Sequence, residues 1–423
     1  MKAEVLTIGD ELLIGQVVNT NSAWLGEHLG ALGIDVLRMV TISDEPSDMR
    51  AALDDAFRRA DVVITTGGLG PTHDDVTKVT VADYFGLAMT VHQPTLDRLE
   101  AYFKQRGREV TAAARLMTQV PEGFTALDNP RGAAPGLWYQ AEINGTRRVL
   151  VLLPGVPKEM KALMETAVLP RLNAMRDGAL IRHKTILTTG IGESNLAARL
   201  GDLSALLSPS LKLAYLPSTN GCRLRITARG TDEATIAASI QALEAHIQQH
   251  AGRYIFGEGT DRLEAAVGRL LAERGLTVAV AESCTGGLVQ SRLTDVPGAS
   301  AYVIGGVVAY ANDMKTAVLG VRADDLAAYG AVSEPVARQM AVGVRQALGT
   351  DIGLATTGIM GPGGGSDAKP VGTVWFGYAD AEQTQAVRVC FARDRATNKA
   401  LAATGILNLL RLTLLKHDTT SAR

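Results

Sequence analysis

The sequence predicts an α/β protein in three parts: a parallel-sheet N-terminal domain, a small α+β middle module and an α/β C-terminal domain. Three observations carry that prediction. Short β-rich runs ending in Gly or Pro turns alternate with stretches of helical period, the pattern of strand–helix–strand units in a sheet covered on both faces. Between about Leu172 and Phe256 the rhythm changes to short alternating strands and two helical stretches. The length of 423 residues exceeds what one ordinary core serves, and suits division into residues 1–170, 171–256 and 257–423.

In the first part, residues 3–8 are a β-rich run ending in Gly9-Asp10, and a helical pattern passes through Trp24, Leu25, His28 and Leu29. Residues 34–37 read as a second strand. Residues 46–59 read as a helix whose Pro46 sits in the first turn, where a missing N–H costs little. A buried-type strand, residues 61–66, runs straight into Gly67-Gly68, and a later one, residues 148–153, ends in Pro154-Gly155. The middle part has strands over residues 185–189, 211–216 and 222–227, helices over 193–203 and 233–249, and a hinge at Gly257-Glu258-Gly259-Thr260. The last part opens with a helix over 262–273 and a strand over 276–281. Strand-like runs follow at 302–310, 352–356, 372–378 and 385–391. A closing helix carries Leu401, Ile406, Leu409, Leu410 and Leu414 on one stripe.

Composition narrows the function. Hydrophobic residues at 46% and charged residues at 20% make a folding composition. With 42 basic and 44 acidic residues the net charge is −2, so the basic excess of a nucleic-acid binder is missing. The cysteines Cys222, Cys284 and Cys390 form no CxxC pair, which argues against a disulfide framework or zinc cluster and fits a reducing compartment. The N-terminus lacks the pattern of a signal peptide, and no apolar run approaches the ~20 residues that span a bilayer. A cytoplasmic protein with neither membrane nor nucleic-acid partner is expected.

The strongest chemical signal is Glu282-Ser283-Cys284-Thr285-Gly286-Gly287, where an apolar strand breaks off. Parallel sheets place ligand sites at such carboxyl ends. Ser283 would sit there, with Gly286 and Gly287 leaving helix N–H groups free for an anion. A turn built only for packing explains this fragment equally well. Two more strand ends shift the balance. One carries Tyr310, Asn312 and Lys315; the other carries Thr356, Thr357 and a glycine cluster from Gly358 to Gly365. Three strands that each finish in polar, Gly-assisted turns predict one shared pocket.

In AESCTGG, VVAYANDMK and TTGIMGPGGG, taken in that order, residues 261–415 resemble the C-terminal domain of the CinA family, the PncC-type nicotinamide-nucleotide amidase domain. The resemblance implies hydrolysis of the carboxamide of nicotinamide mononucleotide to nicotinate mononucleotide and ammonia, with Ser283 as nucleophile and no cofactor. Amide hydrolysis needs a nucleophile, a proton acceptor and donors for the oxyanion. No histidine lies in these motifs, so Tyr310 and Lys315 are the available proton-handling groups. Lys315 serves as a base only if burial or nearby cations depress its pKa. Thr357 would position Ser283 or the amide. Thr285, Gly286, Gly287, Asn312, Gly358, Gly361 and Arg395 are the expected substrate contacts. Cys284 is a rival nucleophile on paper, but a buried small hydrophobe is the commoner fate of a lone cysteine. The family's Gly-Asp-Arg, with a further Arg four residues on, is here Arg393-Asp394-Arg395 and Lys399. Arg395 keeps the phosphate or carboxylate contact, although Asp394 and Arg395 also read as a surface ion pair. Lys for Arg alters bidentate binding.

The N-terminal part carries a second candidate. After the strand at residues 61–66, Gly67, Gly68 and Gly70 are placed to offer N–H groups to phosphate, with Thr72, Asp74 and Asp75 next to them. Asp74 also reads as a helix cap. Carboxylates beside a phosphate site make chemical sense with Mg²⁺ or a similar divalent ion. His73, isolated in a loop, is expected to be exposed. Residues 1–170 resemble the molybdopterin-binding domain shared by molybdopterin adenylyltransferases and CinA proteins. The agreement lies in Gly9-Asp10-Glu11-Leu12-Leu13, Gln16, Asn19-Thr20-Asn21, Asp44, TTGGLGPTHDD and Pro154-Gly155-Val156-Pro157-Lys158-Glu159-Met160. The resemblance implies an ADP-ribose pyrophosphatase, with Asp75 catalytic and metal on Asp44 and Asp75. A competence-associated nucleotide- or pterin-binding scaffold and a molybdopterin adenylyltransferase are the alternatives. Small-molecule nucleotides are the expected partners, with the middle module a spacer or homodimer contact.

Overall fold

The computed structural model describes all residues except 144, 176, 177, 179, 219, 220, 422 and 423, and the side chains of 417–421. It divides into two compact units, Met1–Arg182 with Ala228–Ile236, and His183–Thr227 with Ala237–Arg423.

The first unit has strands β1 (Lys2–Ile8), β2 (Asp35–Ile42), β3 (Val62–Thr66), β4 (Met89–Val91), β5 (Gln119–Pro121), β6 (Thr125–Leu127), β7 (Gly136–Ile143) and β8 (Thr146–Leu153). The main sheet runs β2-β1-β3-β8-β7-β6, and β4 pairs with β5 separately. β1 is parallel to β2 and β3, and β3 to β8. The β8-β7-β6 edge is antiparallel, an addition to the expected parallel sheet. β3 is buried along its whole length, which is why it reads as a continuous apolar run. Successive side chains feed opposite cores: Val5, Ile64 and Val151 pack with Leu25 and Leu29, while Leu6, Val63 and Leu150 pack with Leu53 and Phe57. The Thr20–Ala31 helix is capped by Asn19, whose side chain accepts from Ser22 N at 3.0 Å. Residue 170 falls inside a continuous run of helix, Pro157–Leu163, a π turn Met164–Val168 and Leu169–Met175, so no linker begins there.

The middle sheet joins β9 (Leu180–Thr188), β10 (Leu211–Ser218), β11 (Gly221–Gly230) and β12 (Ile255–Glu258) in the order β10-β11-β9-β12. Gly257 and Glu258, expected in a hinge, belong to β12, where they pair with Leu187 and Ile186. The chain turns instead at Gly259, whose φ is +57°.

The C-terminal sheet contains β13 (Val278–Glu282), β14 (Val303–Val308), β15 (Ile352–Gly358), β16 (Thr373–Ala379) and β17 (Thr384–Cys390), ordered β14-β13-β15-β16-β17. β13 is parallel to β14 and β15, whereas β16 runs antiparallel to β15 and β17. One core holds Val278, Val280 and Leu354 with Val267, Ile406 and Leu410; the other holds Ala279, Ala281 and Ala355 with Met340 and Val344. On the alanine side the Glu334–Leu348 helix lies so close that a Cβ at Gly353 would stand 2.0 Å from Ala341 O. Register then builds the site. Glu282 is level with Val308 on one side and Thr356 on the other, so three carboxyl ends finish together. Among the described residues no helix is long and apolar enough to cross a membrane.

Candidate active site

The three strand ends enclose a cavity of about 180 Å³, onto which Ser283, Tyr310, Asn312, Lys315, Thr357, Gly358 and Arg395 all open. Val332, Met360 and Cys284 supply apolar wall. The shared pocket expected from polar strand ends is therefore present. Ser283 is 9% exposed, and its backbone N–H donates to Thr356 O at 2.9 Å, prolonging the ladder between β13 and β15 by one residue.

Lys315 is 1% exposed, in the first turns of the Asn312–Leu319 helix. Its Nζ donates to Ala309 O at 2.8 Å and to Tyr310 O at 3.2 Å. Burial lowers its pKa below the ordinary lysine value, because an ammonium loses hydration there and gains no carboxylate in return. Thr357 Oγ1 donates to Ala331 O at 2.8 Å, which spends its hydrogen and leaves the oxygen as an acceptor. Tyr310 is 62% exposed, and its phenol oxygen accepts from Arg395 Nη2 at 3.0 Å. Arg395 Nη1 donates to Gly361 O at 2.8 Å, so Gly361 contributes a carbonyl to hold the guanidinium rather than an N–H to a ligand. Cys284 is buried and its thiol is pushed up to about 12 by desolvation, so it stays protonated at neutral pH.

Two expected substrate contacts, Thr285 and Gly287, are engaged elsewhere. The N–H of Gly287 is already used: Glu282, buried at the end of β13, accepts from the amides of Gly287, Val289 and Gln290 at 2.9, 3.1 and 2.8 Å. The anion at this helix start is the protein's own carboxylate. Thr285 is fully buried and shares a 2.6 Å hydrogen bond with Thr356 Oγ1, away from the cavity. Gly286, at φ +64°, holds the left-handed backbone of the turn and lies beside Lys399 Nζ. Glu282 escaped the sequence reading, although a lone acid closing an apolar strand before a Gly-Gly turn was the available signal. Asp394 is not ion-paired to Arg395: its carboxylate accepts from Thr397 N at 3.0 Å and Thr397 Oγ1 at 2.5 Å, an N-cap for the Arg395–Ser421 helix.

At the N-terminal candidate, the backbone donors are also largely occupied. Gly67 N–H donates to Leu153 O at 3.0 Å, extending the pairing of β3 with β8. Gly70 N–H and Thr72 N–H donate to Asp75 at 2.8 and 2.9 Å, and the Thr72 hydroxyl donates to it as well. Asp75 thus closes its own loop. A Cβ on Gly68, at φ +65°, would meet Thr77 Oγ1 at 2.1 Å. The following helix starts at Thr77, with Val76 as its cap residue, so Asp74 and Asp75 precede it and Asp74 is not its cap. His73 is fully exposed, as expected. Asp44 accepts from Asp10 N at 3.1 Å, and burial raises its pKa, with Asp10, Glu11 and Asp74 adding repulsion. Among the described residues no group of three or more His, Cys, Asp or Glu could hold a metal ion. Mg²⁺ commonly takes one or two carboxylates with phosphate and water in the remaining positions. Asp44, crowded by like charge, fits such an ion better than Asp75.

Residues 260–414 match the CinA C-terminal domain, residues 4–174 the probable molybdopterin binding domain, and residues 183–257 the damage-inducible protein CinA KH domain. A CinA-like protein of Salinibacter ruber is 51% identical over 414 residues, 98% of this chain and 100% of that protein. A CinA-like protein of Chloroherpeton thalassium is 44% identical over 419 residues, covering 97% of this chain and 99% of its own length. A crystal structure of competence damage-inducible protein A from Klebsiella pneumoniae shares 41% identity, with a TM-score of 0.35, over 35% of this chain and 92% of its own. The chain belongs to the CinA family.

Proposed function

We propose that this protein hydrolyses pyridine-nucleotide metabolites, and that its C-terminal domain deamidates nicotinamide mononucleotide at Ser283. The observation that carries the reading is the single cavity onto which Ser283, Lys315, Thr357 and Arg395 all open. A neutral lysine amine has two N–H bonds and one lone pair. Ala309 O and Tyr310 O take the N–H bonds, leaving the lone pair for the Ser283 hydroxyl. Ser283 Oγ attacks the carboxamide carbon as its proton passes to Lys315 Nζ. The tetrahedral intermediate collapses when Lys315 returns that proton to the departing nitrogen, releasing ammonia and leaving a nicotinoyl ester on Ser283. Water then attacks the ester, Lys315 takes its proton, and nicotinate mononucleotide departs with Ser283 restored.

The remaining groups have matching duties. Thr357 can only accept, which suits the NH₂ of the carboxamide. Asn312, exposed at the cavity rim, can donate to the oxyanion. Arg395 and the Tyr310 hydroxyl, tied together, face the phosphate, with Lys399 one helical turn along. The test is to feed the purified protein nicotinamide mononucleotide and assay both products. Equimolar ammonia and nicotinate mononucleotide, insensitive to chelators, are expected; no ammonia above a heat-denatured control contradicts the reading.

For the N-terminal domain we propose metal-dependent hydrolysis of ADP-ribose, supported by the crowding of Asp44 by Asp10, Glu11 and Asp74. A divalent ion would neutralise diphosphate charge there. In a Mg²⁺ titration Asp44→Asn should raise the metal concentration needed for turnover more than Asp75→Asn does. Pterin adenylylation in place of ADP-ribose turnover would favour the adenylyltransferase alternative, and binding with neither activity the scaffold. No Gly-x-x-Gly occurs in residues 183–257, the loop by which KH domains clamp nucleic-acid backbones, and this supports small-molecule partners.

A further inference from the structure

A second cavity, of about 560 Å³, lies within the second unit between the middle module and the C-terminal sheet. Its size is that of small-molecule pockets, and its walls are chiefly apolar, with Phe376, Val389, Phe391 and Leu409 among them. Thr189, Thr404 and Asn408 are buried polar side chains on its lining, and Asn408 is the amide among them. Asn408 is 9% exposed, and its Oδ1 accepts from Arg411 Nε at 3.1 Å and Arg411 Nη2 at 3.0 Å. That contact fixes the amide's orientation, because a guanidinium only donates. Nδ2 therefore points the other way, and among the described residues it has no acceptor. Gly190, at φ +76°, keeps it uncovered: a Cβ there would stand 2.5 Å from Asn408 Nδ2.

Behind Asn408 the charge is unbalanced. Arg411 is 2% exposed, and its acceptors are all neutral: Asn408 Oδ1, Ile255 O at 2.9 Å and Arg253 O at 2.8 Å. A buried guanidinium without a carboxylate raises the local potential, and an anion brought near it offsets the cost. Glu193, also on the lining, is exposed to water, where its charge is screened. We propose that this cavity is a second ligand site, for a small aromatic carboxylate whose ring packs between Phe376 and Val389 and whose carboxylate accepts from Asn408 Nδ2. The site is separate from the Ser283 cavity and shares no lining residue with it.

The probe is 2-naphthoate, titrated into the full chain by calorimetry. Val389→Trp fills the cavity without touching Asn408 or Arg411. Asn408→Asp keeps an acceptor for Arg411 and replaces the donor with a negative charge. Saturable one-to-one binding is expected for the parent chain, weakened roughly 10- to 100-fold in Asn408→Asp, as befits loss of a hydrogen bond to a charged group, and by at least about 10-fold in Val389→Trp, whose indole occupies the space of the ligand ring. Thermal melts establish that both variants are folded. Absence of saturable binding to the parent chain overturns the proposal, as does parental affinity in either folded variant.

Discussion

Glu282 and Lys315 are both buried ionisable groups near the candidate nucleophile, and their surroundings differ. Glu282 is matched by three backbone donors, whereas Lys315 meets only carbonyls. Lys315 therefore has reason to be neutral, and deamidation should rise with pH through a pKa below the ordinary lysine range and then level off. Lys315→Arg, which keeps its proton, should lower kcat by about 10²- to 10⁴-fold at every pH; a variant retaining the parental pH–rate profile would remove Lys315 from the proton transfer. Glu282→Gln keeps the shape but not the charge, and we expect a loss of about 1–2 kcal/mol of stability with kcat falling more than KM changes. Parental stability in denaturant titrations would show that this helix start does not depend on the carboxylate. Ser283, Tyr310, Asn312, Lys315 and Thr357 were legible because polar residues at strand ends face whatever the sheet binds, whereas Arg395, at a helix start, was marked only by the family resemblance. The inward turn of Thr285 and the capture of Gly287 by Glu282 were not, because the first depends on a hydroxyl of the paired strand, Thr356, and the second on a carboxylate reaching past the turn to the amides of the next helix.

Among the elements, strands buried on both faces were read well, since β3 and β13 are buried throughout, open on apolar residues and end in turns. Direction was the harder part. Nothing in the run at residues 372–378 marks β16 as antiparallel, because the connection from Gly358 to Thr373 is long enough to serve either direction and the strand's own residues carry no preference. The expected hinge was lost for a related reason: glycines signal a turn, yet Gly257 sits in β12. The Arg395–Ser421 helix meets the sheet at Gly405, where a Cβ would come within 2.6 Å of the Phe376 ring. Gly405→Ala should destabilise the C-terminal domain by about 1–3 kcal/mol through overpacking. An unchanged melting temperature would mean that Phe376 moves aside freely.

At the scale of the whole molecule, the two proposed activities fall in separate units, and so do the buried lysines that respond to pH. Lys78 in the first unit is buried, donates to Leu116 O and Met117 O, and has its pKa lowered from 10.5 to about 8 by desolvation. From pH 8 to 10.5 the unfolded chain still holds a proton that the native unit has released. Stability of that unit should rise with pH across the window, by up to roughly 3 kcal/mol, and the rise should vanish in Lys78→Met. Denaturant titrations at several pH values, followed by fluorescence of Trp24 and Trp138 in a Trp375→Phe background, read this directly; the same rise in both proteins would assign it elsewhere. Deamidation at Ser283 is the proposal for the other unit, and the measurement that decides it is ammonia release from nicotinamide mononucleotide by Ser283→Ala beside Cys284→Ala. A loss of at least about 10³-fold is expected in the serine variant and near-parental turnover in the cysteine variant. Undiminished release from Ser283→Ala would contradict it.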